Sequence, residues 1–252
     1  MDIKKLLRSI QVNFPRQQEL IARWKEKILK SFKIPHEKAF GAIKLFDVNS
    51  KKVFVDIGSN RGQSINSILL FNTQTPIFAF EANPELSIRL KKKFEKTKNV
   101  QVYGYGLSCE NNTLKLHIPF YKKWMFDGLA SFNYSTPKNW LKQHMFFFKE
   151  SHLETKSVDC ELRRLDDFEI QPYFIKIDVE NYETEVLKGA TETIRKHRPV
   201  ILIESLNAES IDIIKRLGYT FFTYDKEHFI ECEPQYNTFC LHTEEHKSLI
   251  EK

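Results

Sequence analysis

The ten residues Val53–Gly62 read VFVDIGSNRG, an apolar run that stops at an acid and turns through two glycines. Such a segment joins a buried strand to a helix. β-Branched and aromatic side chains favour the strand, and glycine admits the left-handed backbone of a tight turn. The theme then repeats. Ile77–Glu81, Val100–Tyr105, Tyr173–Asp178, Val200–Glu204 and Tyr219–Tyr224 are short apolar runs. Amphipathic stretches separate them at Gln63–Phe71, from Pro84 to about Lys96, at Tyr182–Lys196 and at Glu209–Leu217. Strands alternating with helices predict a mostly parallel sheet with helices on both faces, closed by Tyr236–His242 as an antiparallel strand. At 252 residues the chain accommodates one such domain and an addition. The expected division is a helical extension, 1–50, and an α/β domain, 51–252, interrupted at about 119–152 by an aromatic-rich insertion without a clear period.

In an open sheet of this class a ligand sits at the carboxyl ends of the strands, near the point where strand order reverses. The first strand delivers Asp56 to that edge. Gly58 permits the turn, and Gly62 lets the next helix start close to a ligand. The spacing D-x-G-x-x-x-G differs from the G-x-G-x-x-G of a dinucleotide site. Asn60 and Arg61 stand where a pyrophosphate-binding turn needs small residues, and Ser59 and Asn60 are candidate cofactor contacts. An acid at the mouth suits a cationic cofactor without phosphates. Glu81, about twenty residues past the turn, is placed to accept both hydroxyls of a ribose. Gly106 and Leu107, beyond the third strand, are placed to border a flat base.

The stretch FIKIDVENYETEVLKGA, Phe174–Ala190, carries the most information. Lys176, Asp178 and Glu180 alternate with Ile175, Ile177 and Val179, so a strand would turn the polar three to one side. Charge at the end of a buried strand is costly unless paired or functional. Asp178, Glu180 and Glu204 are therefore the candidate catalytic acids, with Asp178 also facing the cofactor. Asp178 and Glu204 would be the ligands if a divalent cation such as Mg²⁺ took part. A structural set of ion pairs is the competing reading.

At this point the chain resembles the FkbM-type methyltransferases. The likeness rests on VFVDIGSNRGQS at Val53–Ser64, FAFEANP at Phe78–Pro84, LDDF at Leu165–Phe168, the Phe174–Ala190 block and RPVILIE at Arg198–Glu204. It covers about residues 50 to 240 and leaves the first fifty unmatched. The resemblance implies the Rossmann-like class I methyltransferase fold with seven strands, S-adenosylmethionine as cofactor, and O-methylation, commonly of sugar hydroxyls. A nucleotide-activated sugar or a glycan precursor would then be the acceptor. An RNA or small-metabolite methyltransferase, an NAD-dependent dehydrogenase and a non-catalytic cofactor-binding scaffold are the rival readings. One departure stands out: Asn181 occupies the place where the family usually has glycine. Asn tolerates a left-handed backbone, so the turn can persist while the acceptor site narrows.

The insertion is the expected acceptor site. Tyr121, Trp124, Tyr134, Trp140 and Phe146–Phe148 offer flat faces, Lys122, Lys123, Lys138 and Lys142 offer charge, and His117, His144 and His152 are candidate bases. The same aromatics would equally build a small satellite core or an oligomer contact.

Charge argues against nucleic acid as the partner. Residues 1–52 hold 13 Lys+Arg against 5 Asp+Glu, whereas the other 200 hold 26 against 28. The basic excess belongs to the extension, not to the domain with the glycine turn. Within the extension Leu20, Ile21, Trp24 and Ile28 form one apolar stripe. Packing on its own domain is the expectation for that stripe, with a membrane surface or a partner protein as the alternatives. No segment is long and apolar enough to span a membrane. Four cysteines without metal spacing read as thiols, and a cytoplasmic location is expected.

Overall fold

A computed structural model describes residues 3–48, 51–132 and 136–251. Its strands, in chain order, are β1 (Val53–Ile57), β2 (Ile77–Phe80), β3 (Val100–Tyr103), β4 (Gly106–Leu107), β5 (Asn112–Tyr121) and β6 (Trp124–Met125). They continue as β7 (Leu153–Arg163), β8 (Pro172–Ile177), β9 (Val200–Glu204), β10 (Tyr219–Asp225), β11 (His228–Glu231) and β12 (Asn237–His242). The helices are α1 (Ile3–Gln11), α2 (Pro15–Ser31), α3 (Gln63–Phe71), α4 (Pro84–Phe94) and α5 (Thr136–His144). After these come α6 (Glu183–Gly189), α7 (Thr191–His197), α8 (Ala208–Arg216) and α9 (Lys247–Ile250).

By its internal contacts the chain divides into two units, 1–32 with 114–159 and 33–113 with 160–252. The larger unit carries a sheet ordered β11-β10-β12-β9-β8-β1-β2-β3. Strands β8, β9, β1, β2 and β3 run parallel, and β12 and β10 pair antiparallel at one end. This is the doubly wound sheet expected, with β11 added as an eighth strand at the β10 edge. Successive side chains of β1 enter opposite cores. Phe54 packs with Ile65, Leu90 and Phe94, while Val55 and Ile57 pack with Val186, Leu187 and Ile194. Strand periodicity thus covers both faces of the sheet. The reversal of order lies between β1 and β8, where β1 sets Asp56 beside Lys176.

Several local expectations shift. The piece at 36–46 is a 3₁₀ helix, Lys38–Leu45, and residues 182–196 form two helices rather than one. The break falls at Gly189 and Ala190, and Gly189 also admits a close approach of chain, since a Cβ there would lie 1.8 Å from the Ser108 carbonyl oxygen. The Asp166 carboxylate then accepts the Thr193 N–H at 2.8 Å and the Glu192 N–H at 3.3 Å, capping the second helix from outside.

The smaller unit joins the start of the chain to the insertion, which the sequence presents as separate additions. Val12 of the extension is buried with Tyr121, Leu141 and Met145. Arg8 donates to the His144 carbonyl at 3.0 Å and lies over the Trp140 ring, and the Phe146 N–H donates to Ser9 Oγ.

Candidate functional site

The carboxyl ends of β1, β8 and β9 collect the charged residues of the larger unit. Asp56 is fully buried. Its Oδ2 accepts the Ser64 hydroxyl at 2.6 Å, while Oδ1 accepts no hydrogen bond and faces Lys176 Nζ at 3.8 Å. Lys176 Nζ donates to the Gly58 carbonyl at 3.1 Å and to Asp178 Oδ2 at 3.0 Å. Burial opposes the lysine's charge, but the Asp56 and Asp178 carboxylates outweigh it and hold the pKa above the ordinary value. One buried ammonium therefore anchors the glycine turn and the acid after β8 together.

The turn is left-handed at Gly58 (φ 78°), Asn60 (φ 46°) and Gly62 (φ 78°). A Cβ at Gly58 would lie 1.8 Å from the Asp178 carbonyl oxygen, and one at Gly62 would lie 2.7 Å from the Phe94 ring. Both glycines serve close approach of the protein's own chain, to the backbone after β8 and to α4. The Ser59 hydroxyl donates to the Asp56 carbonyl at 3.0 Å. Glu81 ties the turn to the end of β2: Oε2 accepts the Asn60 N–H at 2.6 Å and Oε1 the Asn83 N–H at 2.9 Å. Burial pushes its pKa to about 7, and the two backbone donors pull the other way. Each oxygen keeps a second lone pair for a ligand hydroxyl.

Beyond β8 the chain does not continue as a strand. Glu180 (φ 52°) and Asn181 (φ 69°) are both left-handed, so the backbone turns sharply after Asp178. Asn181 thus adopts the conformation that its substitution for glycine permits. Glu183 pins this turn, its Oε1 accepting the Val179 and Asn181 N–H groups at 3.3 Å each. Glu204, at the end of β9, feels the charge of Asp178. Burial first, and Asp178 second, push the Glu204 pKa to about 8. Burial likewise pushes Glu180 to about 7, with Asp178 adding to it. Two raised glutamates thus flank Asp178, whose Oδ2 is held by Lys176 Nζ.

Glu37, just before the 3₁₀ helix, joins the set unannounced by the sequence. It accepts from Asn237 Nδ2 at 3.3 Å and feels the charges of Lys176 and Asp178. Lys176 was legible as a lysine in the middle of an apolar strand, and Glu183 as an acid four residues past Val179. Asp178, Glu180 and Glu204 feel one another's charge, but among the described residues no group of three His, Cys, Asp or Glu is arranged to hold a metal ion.

The other candidates lie elsewhere. Gly106 and Leu107 are buried in β4, paired with Leu162 and Arg163 of β7. The neighbouring rings of Tyr103 and Tyr105 stack on Phe80 and Phe168. Tyr121, Trp124, Trp140 and His144 belong to the smaller unit. Tyr121 is buried, stacked on Phe148, and its hydroxyl accepts the Lys149 N–H. Trp140 and His144 stack on each other with ring centres 4.2 Å apart. These rings build the satellite core of their unit. Tyr134 lies outside the described residues, as does the side chain of Lys138.

The strand order and an acid-lined turn at the reversal point define a Rossmann-like, doubly wound α/β domain. A family profile narrows this: the FkbM methyltransferase domain matches residues 56–225, and the chain belongs to that family. Among curated relatives, a 2-O-methyltransferase, NoeI, of Sinorhizobium fredii is 25% identical over 154 residues. That match covers 58% of this chain and 60% of the relative. A hexuronic acid methyltransferase, AglP, of Haloferax volcanii is 24% identical over 176 residues, covering 69% of this chain and 64% of the relative. The chain thus spans less than two thirds of either relative. A crystal structure of an FkbM methyltransferase from Methylobacillus flagellatus KT matches with a TM-score of 0.48 at 16% identity, covering 78% of this chain and 45% of that one.

Proposed function

We propose that this methyltransferase moves the methyl group of S-adenosylmethionine to a hydroxyl of a sugar, with the Asp178–Glu204 pair receiving the hydroxyl proton. The observation that carries the reading is the surplus of acid around one lysine. Asp56, Asp178, Glu180, Glu204 and Glu37 surround Lys176, so the edge holds more negative charge than one ammonium balances. A cation is the ligand such an edge favours. Two buried acceptors at the same turn, Asp56 Oδ1 and Asn60 Oδ1, have no donor. The residues fit a ligand with an ammonium group, a sulfonium and ribose hydroxyls. Asp56, Asn60 and the second lone pairs of Glu81 would hold it. When bound, that cofactor supplies a methyl group on a positively charged sulfur, a leaving group that needs no acid.

The chain's own task is then to align a hydroxyl and take its proton. A hydroxyl is too weak an acid for an ordinary carboxylate, but a pair that shares one proton is a stronger base once that proton is gone. Lys176 holds Asp178 in place and limits the repulsion from Glu204. One relative is named for O-methylation and the other for methylation of a hexuronic acid, and together they support a sugar hydroxyl as the acceptor.

Calorimetric titration with S-adenosylmethionine and with NAD tests the cofactor. Binding of the first alone is expected, and binding of NAD alone would overturn the reading. For the base, kcat/KM for transfer to a sugar acceptor should rise with pH through an apparent pKa of about 8, the value of the Glu204 pair. Glu204→Gln should remove that rise while leaving cofactor affinity within about twofold. A wild-type pH profile in Glu204→Gln would take the pair out of the chemistry.

A further inference from the structure

The stripe on α2 is inside out. Leu20, Ile21, Trp24 and Ile28 are exposed at 55%, 56%, 64% and 53%, so the expectation that they pack on their own domain does not hold. Among the described side chains of α2, the partly buried ones are Gln18, Glu19, Glu26 and Leu29. At about 100° per residue these lie on the opposite side of the helix from the apolar stripe. The most apolar side of the helix is thus the one presented outward.

The flanks of the stripe are basic. Leu20, Trp24, Ile28 and Ile21 occupy an arc of about 100°. Lys27, Arg23 and Lys30 follow on one side of it and Lys25 on the other, while Glu19 and Glu26 sit on the far side. Just past the helix, Phe32 is exposed and Lys33 continues the basic character. Among the described residues, eight of the thirteen exposed large hydrophobic side chains fall between Leu7 and Phe32.

We infer that this face of α2 docks on the surface of an anionic lipid bilayer. An apolar arc bordered by Lys and Arg, with Trp within it, matches a helix lying in the plane of the headgroups. The side chains enter the acyl boundary and the cations meet lipid phosphates. Charge decides between occupants. Two copies of this chain meeting through the same face would set basic flank on basic flank, with the acids turned away. A nucleic acid would meet the cations but leave the apolar arc against phosphates and water. An anionic bilayer satisfies both.

Flotation of the full chain with phosphatidylcholine vesicles, with and without phosphatidylglycerol, tests this. The chain should float with the anionic vesicles only, and less as salt is added. Lys25→Gln and Lys27→Gln should each weaken partitioning roughly fivefold. Trp24→Glu combined with Ile28→Glu should abolish it. These side chains are exposed, so circular dichroism and thermal melting should match the wild type. Ile230→Glu, an exposed apolar residue of the other unit, should float normally. A chain that stays unbound at low salt, or binds neutral vesicles equally, overturns the inference. So does a concentration-dependent dimer, seen by sedimentation, that the Trp24 and Ile28 substitutions dissolve while no flotation occurs.

Discussion

At Gly58 a single methyl group would be fatal to the site. The φ of 78° already strains any L side chain, and the added Cβ would lie 1.8 Å from the Asp178 carbonyl oxygen. That oxygen belongs to backbone, so the clash is relieved only by parting β1 from β8. Gly58→Ala should therefore cost at least about 3 kcal/mol of stability, or prevent folding, in a urea denaturation series. Gly104→Ala is the control. Its Cβ would meet the Ser87 hydroxyl at 3.1 Å, a side-chain atom able to give way, and the cost should stay under about 1 kcal/mol. The sequence makes both glycines visible but not their difference. A glycine in a strand-turn-helix announces a turn; which neighbour it admits depends on a residue 120 positions later. Glu37 shows the same limit more strongly. Nothing local marks it, because it becomes part of the site only through Asn237 and Lys176.

Elements were more legible than their joints. The strands of the main sheet are short β-branched and aromatic runs between Gly, Pro and Asn, and their alternation of faces survives in the two cores. Periodicity could not show that 182–196 breaks at Ala190, nor that the Ser108 carbonyl lies against Gly189 there. Nor could it show that the extension pairs with the insertion, whose contacts join residues 136 and 137 positions apart. Two substitutions separate local from long-range support at the α6–α7 joint. Asp166→Ala removes the cap on α7 and a partly exposed ion pair with Arg164, and should cost about 1 kcal/mol. Gly189→Ala forces α6 away from the Ser108 loop and should cost about 2–4 kcal/mol. Equal shifts in the urea midpoint for the two would show that the close approach at Gly189 is not a constraint.

Across the whole molecule, the acids at the sheet edge make stability depend on pH in an uncommon direction. Glu81 and Glu180 are pushed to about 7 and Glu204 to about 8, so the folded chain holds protons that the unfolded chain releases near 4.5. A carboxyl with a raised folded pKa contributes stability below its unfolded value and loses it as pH rises through the folded one. His246 acts at the other end. Burial lowers its pKa to about 4, and its Nδ1 accepts the His242 N–H, so it destabilises the fold as pH falls below about 6.5. Between about pH 7 and 8 His246 is largely neutral in both states, and the three carboxyls govern the slope. The melting temperature should fall across that window, with Glu81 alone contributing at most about 3 kcal/mol between pH 4.5 and 7. Glu204→Gln should flatten the part between pH 7 and 8, because the amide keeps the neutral form at every pH. A cationic ligand at this edge would favour the ionised carboxyls and oppose the loss. Melting with S-adenosylmethionine should therefore show a larger stabilisation at pH 8 than at pH 6.5. An equal gain at both would mean that the bound cation does not feel these acids.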